Sequence, residues 1–115
     1  MTCLYGIKNC DTVKKARKWL DAHNIEYTFH DLRGDGLYRD TLEKWIEQSG
    51  SEQLLNKRST TWKNLAPEIR NSLNEHNLIP TLIANPTLIK RPVLEHEQKL
   101  LIGFIAADYE TCFNL

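Results

Sequence analysis

The fold is decided by an N-terminal stretch that reads Thr2-Cys3-Leu4-Tyr5-Gly6-Ile7-Lys8-Asn9-Cys10-Asp11-Thr12-Val13. Its first residues, Thr2 to Tyr5, are typical of a short strand, and Gly6 ends that strand. The loop Ile7 to Cys10 is short enough for a β-α-β unit, and Asp11 suits the first turn of a helix. The stretch therefore predicts a strand, a tight loop and a helix in immediate succession.

The helix is predicted to run from Asp11 to His23. Its apolar residues share one face and are Val13, Ala16 and Leu20. Ile25 to Leu32 then alternates between apolar and polar residues, as expected of a strand that is packed more heavily on one side. The helix and the two strands around it predict a right-handed crossover with parallel strands.

The middle of the chain has a helical but interrupted pattern. An apolar i, i+3, i+4 series predicts a helix that ends near Gly50. Pro67 suits the first turn of a later helix, and Pro80 opens another short one. We therefore predict a helical insert at roughly positions 37–87 and not a second domain.

The last third of the chain returns to strand patterns. Pro92 to Glu95 and Leu100 to Phe104 flank a polar tip and predict an antiparallel hairpin, and Asp108 to Phe113 predicts a closing helix. The order β-α-β, helical insert, β-β-α is the connectivity of a thioredoxin-like fold. The sequence thus predicts one α/β domain over residues 1–115, built on a mixed sheet.

The composition argues against several classes of function. The chain has 115 residues with 15 basic and 15 acidic side chains, and a net charge of zero argues against nucleic-acid binding. Its longest apolar runs fall well short of the ~20 residues that cross a bilayer, so we expect no membrane association. The N-terminus has no secretory leader pattern, which predicts a cytoplasmic protein with reduced thiols, and we expect a monomer.

Cys10 is the most informative residue for chemistry. At the end of a strand-to-helix loop, unpaired backbone N–H groups and the positive end of the helix dipole stabilise a thiolate. Lys8, Lys14 and Lys15 add positive charge nearby, whereas the carboxylate of Asp11 disfavours a second negative charge. A thiolate attacks disulfides and oxyanions, but a free cysteine is also often a small buried hydrophobic residue. Placement alone leaves both interpretations open.

The other cysteines and the histidines favour packing over chemistry. Cys3 lies in a predicted strand and Cys112 in the terminal helix, which are ordinary settings for a buried thiol. Val13 occupies the position where a C-x-x-C motif has its second cysteine, so any turnover needs an external thiol. The four histidines lack the spacing of metal ligands, and no metal site is predicted.

Three segments carry a resemblance to a known family: Tyr5-Gly6-Ile7-Lys8-Asn9-Cys10-Asp11-Thr12-Val13-Lys14-Lys15-Ala16, Asn56-Lys57-Arg58 and Ile89-Lys90-Arg91-Pro92-Val93-Leu94. They resemble the active-site and basic segments of the arsenate reductase-like (ArsC/Spx) family, and the likeness spans essentially the whole chain. Together with Arg58-x-x-x-Trp62, the first segment is closest to the small YffB branch. The resemblance implies a glutathione-dependent thiol reductase.

The resemblance also implies a site, with Cys10 as the catalytic nucleophile. Arg58 and Arg91 match two of the three arginines that bind the oxyanion in the family's arsenate reductases. The third should fall in the predicted hairpin tip at 95–99, where the chain has two acidic side chains and Lys99. We expect those carboxylates, Glu95 and Glu97, to repel arsenate.

Four further residues are predicted to contact the substrate: Lys8, Asn9, Thr12 and Pro92. Pro92 is the candidate for the cis-proline that thioredoxin-like folds place before the third strand, opposite the active cysteine. The alternative for Pro92 is a proline that simply begins an edge strand. For each arginine, the alternative is a solvated surface charge.

The function expected on these grounds is that of a monothiol oxidoreductase. We expect no bound cofactor, glutathione as co-substrate, a small-molecule or protein disulfide as substrate, and a glutaredoxin-type protein as recycling partner. Two alternatives follow from the same resemblance. One is an Spx-like regulator that binds RNA polymerase, against which Val13 counts because the Spx switch usually relies on C-x-x-C. The other is a true arsenate reductase, against which the missing third arginine counts.

Overall fold

The computed structural model describes residues 1–74 and 76–115. In the described residues the chain forms four strands and seven α-helices: β1 (Thr2–Gly6), α1 (Asp11–Ala22), β2 (Thr28–Asp31), α2 (Arg39–Ser49), α3 (Ser51–Leu54), α4 (Thr60–Asn64), α5 (Pro67–Ser72), α6 (Leu78–Ala84), β3 (Val93–His96), β4 (Lys99–Ile102) and α7 (Ala106–Cys112). None of these helices is long and apolar enough to cross a membrane.

The strands form one mixed sheet in the order β2-β1-β3-β4. β1 and β2 are parallel, whereas β1 pairs with β3 and β3 with β4 in the antiparallel sense. The predicted α/β class, the parallel first pair and the terminal hairpin are therefore confirmed.

Several element boundaries differ from the sequence prediction. β2 begins at Thr28 and not at Ile25, because the backbone N–H of Ile25 donates to the carbonyl of Leu20 and closes the end of α1. α6 begins at Leu78, so Pro80 lies within its first turn and does not open it. The helix that begins at Pro67 is confirmed.

By its internal contacts the chain divides into two compact units. The first comprises Met1–Gly36 and Arg91–Leu115, and the second comprises Leu37–Lys90. The helical insert predicted at 37–87 falls within the second unit, and position 75 of that insert lies outside the described residues.

The core of the first unit is formed where α1 and α7 pack on one face of the sheet. Its buried side chains come from both helices and from the two central strands, and are Leu4, Ala16, Leu20, Leu94, Tyr109 and Cys112. The packing role predicted for Cys112 is confirmed, since the residue is 5% exposed in this cluster. The alternation of β1 and β3 places Cys3, Tyr5 and Glu95 on the other face.

The second unit has a core of its own. α2 and α6 contribute Leu42, Trp45 and Leu82, all fully buried. A short antiparallel bridge between Leu55 and Ile89 ties the two ends of this unit together.

Gly6 sets how closely β1 approaches α1. A Cβ atom added at Gly6 would lie 2.8 and 2.9 Å from the two γ carbons of Val13, which is fully buried. We predict that Gly6→Ala lowers the free energy of unfolding by about 1–3 kcal/mol, as overpacking of a core does. Urea unfolding monitored by circular dichroism measures this change.

The control for steric origin is the double variant Gly6→Ala/Val13→Ala. Removing the γ carbons of Val13 removes the clash, so the double variant should lose less stability than the sum of the two single variants. Strictly additive losses would show that the Val13 contact is not the cause.

Candidate functional site

Cys10 is the N-cap residue of α1. Its backbone is extended, with φ −99° and ψ 123°, and its carbonyl accepts the N–H of Lys14 at 3.0 Å. The side chain makes no capping hydrogen bond, and the residue is only partly buried. The thiol is therefore accessible and lies where the unpaired N–H groups of the first helical turn favour negative charge.

The loop that carries Cys10 is fixed at the carboxyl ends of the two parallel strands. The carbonyl of Gly6 accepts the backbone N–H of Leu32 at 2.9 Å, and Gly6 pairs with Asp31 in the sheet. Ile7 is buried, and its carbonyl accepts the N–H of Cys10 at 3.2 Å. These backbone contacts hold the turn that precedes the thiol.

The Arg91–Pro92 peptide bond is cis, which confirms Pro92 as the cis-proline before β3. Tyr5 pairs with Val93, and continuing this antiparallel register sets Pro92 opposite Gly6. Arg91 and Pro92 therefore lie at the end of the sheet from which the Cys10 loop leaves. The Pro92 carbonyl accepts the N–H of Gly103 at 2.8 Å, so the segment after β4 is tied to the same end.

The same register contradicts the expectation that the hairpin tip at 95–99 belongs to the anion site and that its carboxylates repel arsenate there. The tip of the hairpin lies at the opposite end of the sheet, where His96 pairs with Thr2 and the N–H of Glu97 donates to the Met1 carbonyl. The length of β1, roughly 13 Å, separates this tip from the strand end that leads to Cys10. The charges of the tip therefore do not decide whether arsenate binds.

The individual side chains of the 95–99 segment are engaged elsewhere. Glu95 accepts the Tyr5 hydroxyl at 3.0 Å, and Lys99 donates to the carbonyl of Cys112 at 3.1 Å. The hairpin segment that returns to the Cys10 end of the sheet is 102–105, and it contains no cationic residue.

The three remaining predicted contacts near the thiol are solvent-exposed. Lys8 and Asn9 lie in the loop, and Thr12 lies in the first turn of α1. The positive charge of Lys8 also acts on the carboxylate of Asp31. The Arg33 N–H that donates to Asp31 at 3.0 Å is the main cause of the lowered pKa of Asp31, and Lys8 adds to it.

Arg58 belongs to the second unit, whereas Cys10 and Arg91 belong to the first. Its backbone N–H donates to the side chain of Asn56 at 3.1 Å, within a turn that leads to the Ser59 cap of α4. The Asn56 N–H in turn donates to the Leu88 carbonyl at 2.6 Å. The guanidinium side chain is exposed.

The structure brings six of the seven predicted site residues to one end of one sheet. They are Lys8, Asn9, Cys10, Thr12, Arg91 and Pro92. The seventh, Arg58, belongs to the second unit.

The structure adds a polar cluster that the sequence analysis missed. Tyr5 donates to Glu95, its ring lies 4.8 Å from that of His30, and His30 contacts the Gly36 carbonyl at 2.6 Å. The alternation along β1 could have indicated that Cys3 and Tyr5 share one face of the strand. The residues of β2 and β3 that Tyr5 contacts depend on strand register, which the sequence does not reveal. Within residues 1–74 and 76–115, no group of three or more His, Cys, Asp or Glu side chains is placed to hold a metal ion.

The other two thiols lie in settings that disfavour the thiolate. Burial raises the pKa of Cys3, and the nearby Glu95 carboxylate raises it further, while a hydrogen bond with Tyr5 acts in the opposite direction. Burial is also the main cause of the raised pKa of Cys112. Both side chains are therefore protonated thiols at neutral pH and weak nucleophiles.

The chain belongs to the ArsC family, whose model matches residues 5–112. An uncharacterised protein of Haemophilus influenzae is 51% identical over 113 residues, which is 98% of this chain and 99% of that protein. The global transcriptional regulator Spx of Lactiplantibacillus plantarum is 28% identical over 106 residues, covering 90% of this chain and 80% of the regulator.

A solved structure of a YffB protein superposes with a TM-score of 0.92 at 41% identity, covering 96% of this chain and 97% of that one. This match confirms the thioredoxin-like fold and the family resemblance of the sequence. The chain is thus an ArsC-family protein that is similar both to a YffB protein and, more distantly, to Spx regulators.

The settings of the three thiols predict an order of reactivity. At pH 7, iodoacetamide should alkylate Cys10 first, because its side chain lies at a helix start and is only partly buried. Cys3 should react more slowly because burial raises the pKa of its thiol, and Cys112 should react only as the protein unfolds because it lies in the core. Mass spectrometry of digests taken over a time course measures all three rates in one sample. Alkylation of Cys3 ahead of Cys10 would contradict this assignment.

The setting of Asp31 predicts a pH dependence of stability. Because its pKa in the folded protein is below the ordinary value of 3.8, the ionised carboxylate stabilises the fold. This stabilisation is fully present above about pH 4 and is lost as the pH falls through the lower folded value. Asp31→Ala should therefore reduce the unfolding free energy at pH 7 more than at pH 3.

The matched variant is Asp31→Asn, which keeps a side-chain oxygen to accept the Arg33 N–H but carries no charge. At pH 7 this variant should lose less unfolding free energy than Asp31→Ala does. The difference from wild type should also decrease as the pH falls. Urea midpoints measured from pH 3 to pH 7 provide the comparison, and a difference that grows towards low pH would refute the assigned role.

Proposed function

We propose that this protein is a glutathione-dependent monothiol oxidoreductase that uses Cys10 as its nucleophile. The observation that carries the proposal is the uncapped, partly exposed Cys10 thiol at the start of α1, at the same sheet end as the cis Arg91–Pro92 bond. The helix N-terminus favours the thiolate that such a reaction needs.

The reaction proceeds by two thiol–disulfide exchanges. The Cys10 thiolate attacks the glutathione sulfur of a mixed disulfide, R–S–S–G, which releases R–S⁻ and leaves a Cys10–S–S–G bond. The thiolate of a second glutathione attacks the glutathione sulfur of that bond, which restores the Cys10 thiolate and yields glutathione disulfide. R–S⁻ then takes a proton from solvent, so the net reaction converts R–S–S–G and one glutathione thiol into R–SH and glutathione disulfide.

The need for an external thiol follows from where the other candidates lie. Val13, at the position of a resolving cysteine, is fully buried and packs against Gly6. Cys3 lies three residues before the end of β1, about 10 Å along the strand, and Cys112 lies in the core. Neither thiol is set beside the loop, and both are held protonated.

Glutathione is an anionic tripeptide, and positively charged side chains near the thiol are complementary to its carboxylates. Lys8, Lys14, Lys15 and Arg91 all lie in the first unit, at or beside the loop and the cis bond. A guanidinium can bind a carboxylate with two parallel hydrogen bonds, so we assign Arg91 to a glutathione carboxylate.

A disulfide is favoured over arsenate as the substrate because segment 102–105, which returns to this end of the sheet, supplies no third arginine to bind the oxyanion. The lysines near the thiol are point charges and do not make the paired hydrogen bonds that a guanidinium makes with an oxyanion. The recycling partner remains a glutaredoxin-type protein or glutathione itself under this proposal.

The test is turnover of a glutathionylated peptide, with glutathione present and glutathione disulfide as the measured product. Cys10→Ser should reduce the rate to that of the uncatalysed exchange, whereas Cys3→Ser and Cys112→Ala should retain at least half of the activity. Arg91→Ala should raise the KM for glutathione about tenfold, the loss expected of one charge-assisted hydrogen bond, and Arg91→Lys should raise it less.

Arsenate serves as the alternative substrate in a parallel assay. Turnover of arsenate with no reduction of the glutathionylated peptide would replace the proposal with arsenate reduction. No turnover of either substrate by the wild-type protein, with full activity of a glutaredoxin control, would favour a binding role of the Spx kind.

A further inference from the structure

The second unit contains a cavity that the proposed reaction does not use. Its volume is about 630 Å³, within the ~300–1,000 Å³ typical of small-molecule sites. All of its lining residues belong to Leu37–Lys90. Apolar side chains supply much of its wall, and they are Ile46, Leu55, Leu73, Leu78 and Ile79.

Three glutamates line the same cavity, and none of the described residues that line it is Lys, Arg or His. Glu43 and Glu47 lie one turn apart on α2, where like charges disfavour the helix. Glu52 lies in the first turn of α3. An apolar wall with several carboxylates around it is complementary to a ligand that has more than one cationic group on an apolar chain.

Two of these carboxylates already contact cationic nitrogens. Arg39 Nε lies 2.9 Å from Glu43, and Lys57 Nζ lies 3.4 Å from Glu52. All four side chains are more than half exposed, so these pairs contribute little to stability and are readily exchanged. A ligand that also contacts the apolar wall can displace them.

We infer that this cavity binds a linear polyamine. Its ammonium groups would pair with Glu43, Glu47 and Glu52, and its methylene groups would contact the wall formed by Ile46 and Leu55. A metal cation would gain nothing from the apolar wall, and a monoamine would neutralise only one carboxylate. Binding would also relieve the repulsion between Glu43 and Glu47.

The test is a titration of the full, isotope-labelled chain with spermidine, followed by NMR, with Mg²⁺ added to a second sample at constant ionic strength. Spermidine should shift the amide resonances of residues that line the cavity, among them Gly50, Ser51 and Ile79. Mg²⁺ should not reproduce these shifts. Equal shifts with Mg²⁺, or shifts spread over all acidic surfaces, would overturn the inference.

Charge and chain length are then varied separately. Glu47→Gln should weaken spermidine binding about threefold, as expected for one exposed ion pair, whereas Glu68→Gln should leave it unchanged. Glu68 is exposed on α5 and does not line the cavity.

In a series of diamines, each added methylene that contacts the wall should tighten binding by up to about fourfold. Affinity that does not depend on chain length, or that falls equally in both variants, would show that only the general negative charge of the surface attracts the polyamine. Either result would overturn the inference.

Discussion

The antiparallel register between β1 and β3 is the constraint on which the candidate site depends. Pairing Tyr5 with Val93 sets the cis Arg91–Pro92 bond opposite the end of β1, from which the Cys10 loop leaves. A slip of one residue would exchange the two faces of β3 and move Leu94 out of the core. Core packing therefore fixes the register, and the register fixes the site.

The two faces of the sheet divide the thiols into different roles. Leu4 and Leu94 face the core that contains Cys112, whereas Cys3 lies on the other face beside Tyr5 and Glu95. Burial and the Glu95 carboxylate keep Cys3 protonated. Cys10 differs from both because it lies outside the sheet, at a helix start, with its side chain free of any capping bond.

Local sequence patterns predicted much of the fold because they depend on near neighbours. The strand, loop and helix of residues 2–22, the Pro67 helix start and the terminal hairpin all follow from periodicity and turn chemistry. The start of β2 was predicted too early because the bond from Ile25 to Leu20 is a tertiary detail of the helix end. Alternation along the chain does not reveal such a bond.

The site was harder to predict because it depends on which ends of the strands meet. Cys10 and Pro92 were found from their types and their places next to β1 and β3, and the cis bond confirmed Pro92. The 95–99 segment was assigned to the site by its position in the sequence, but an antiparallel hairpin carries its tip to the far end of the sheet. The cavity at Glu47 was missed because its wall combines residues from α2 and α6.

The most direct test of the central claim is to trap the covalent intermediate. The wild-type protein is incubated with glutathione disulfide, quenched with acid and digested, and the glutathione adduct is located by mass spectrometry. If Cys10 is the nucleophile, a mixed disulfide forms on the peptide that contains Cys10 and none forms on the peptides of Cys3 or Cys112. An adduct found mainly on Cys3, or no adduct at all, would contradict it.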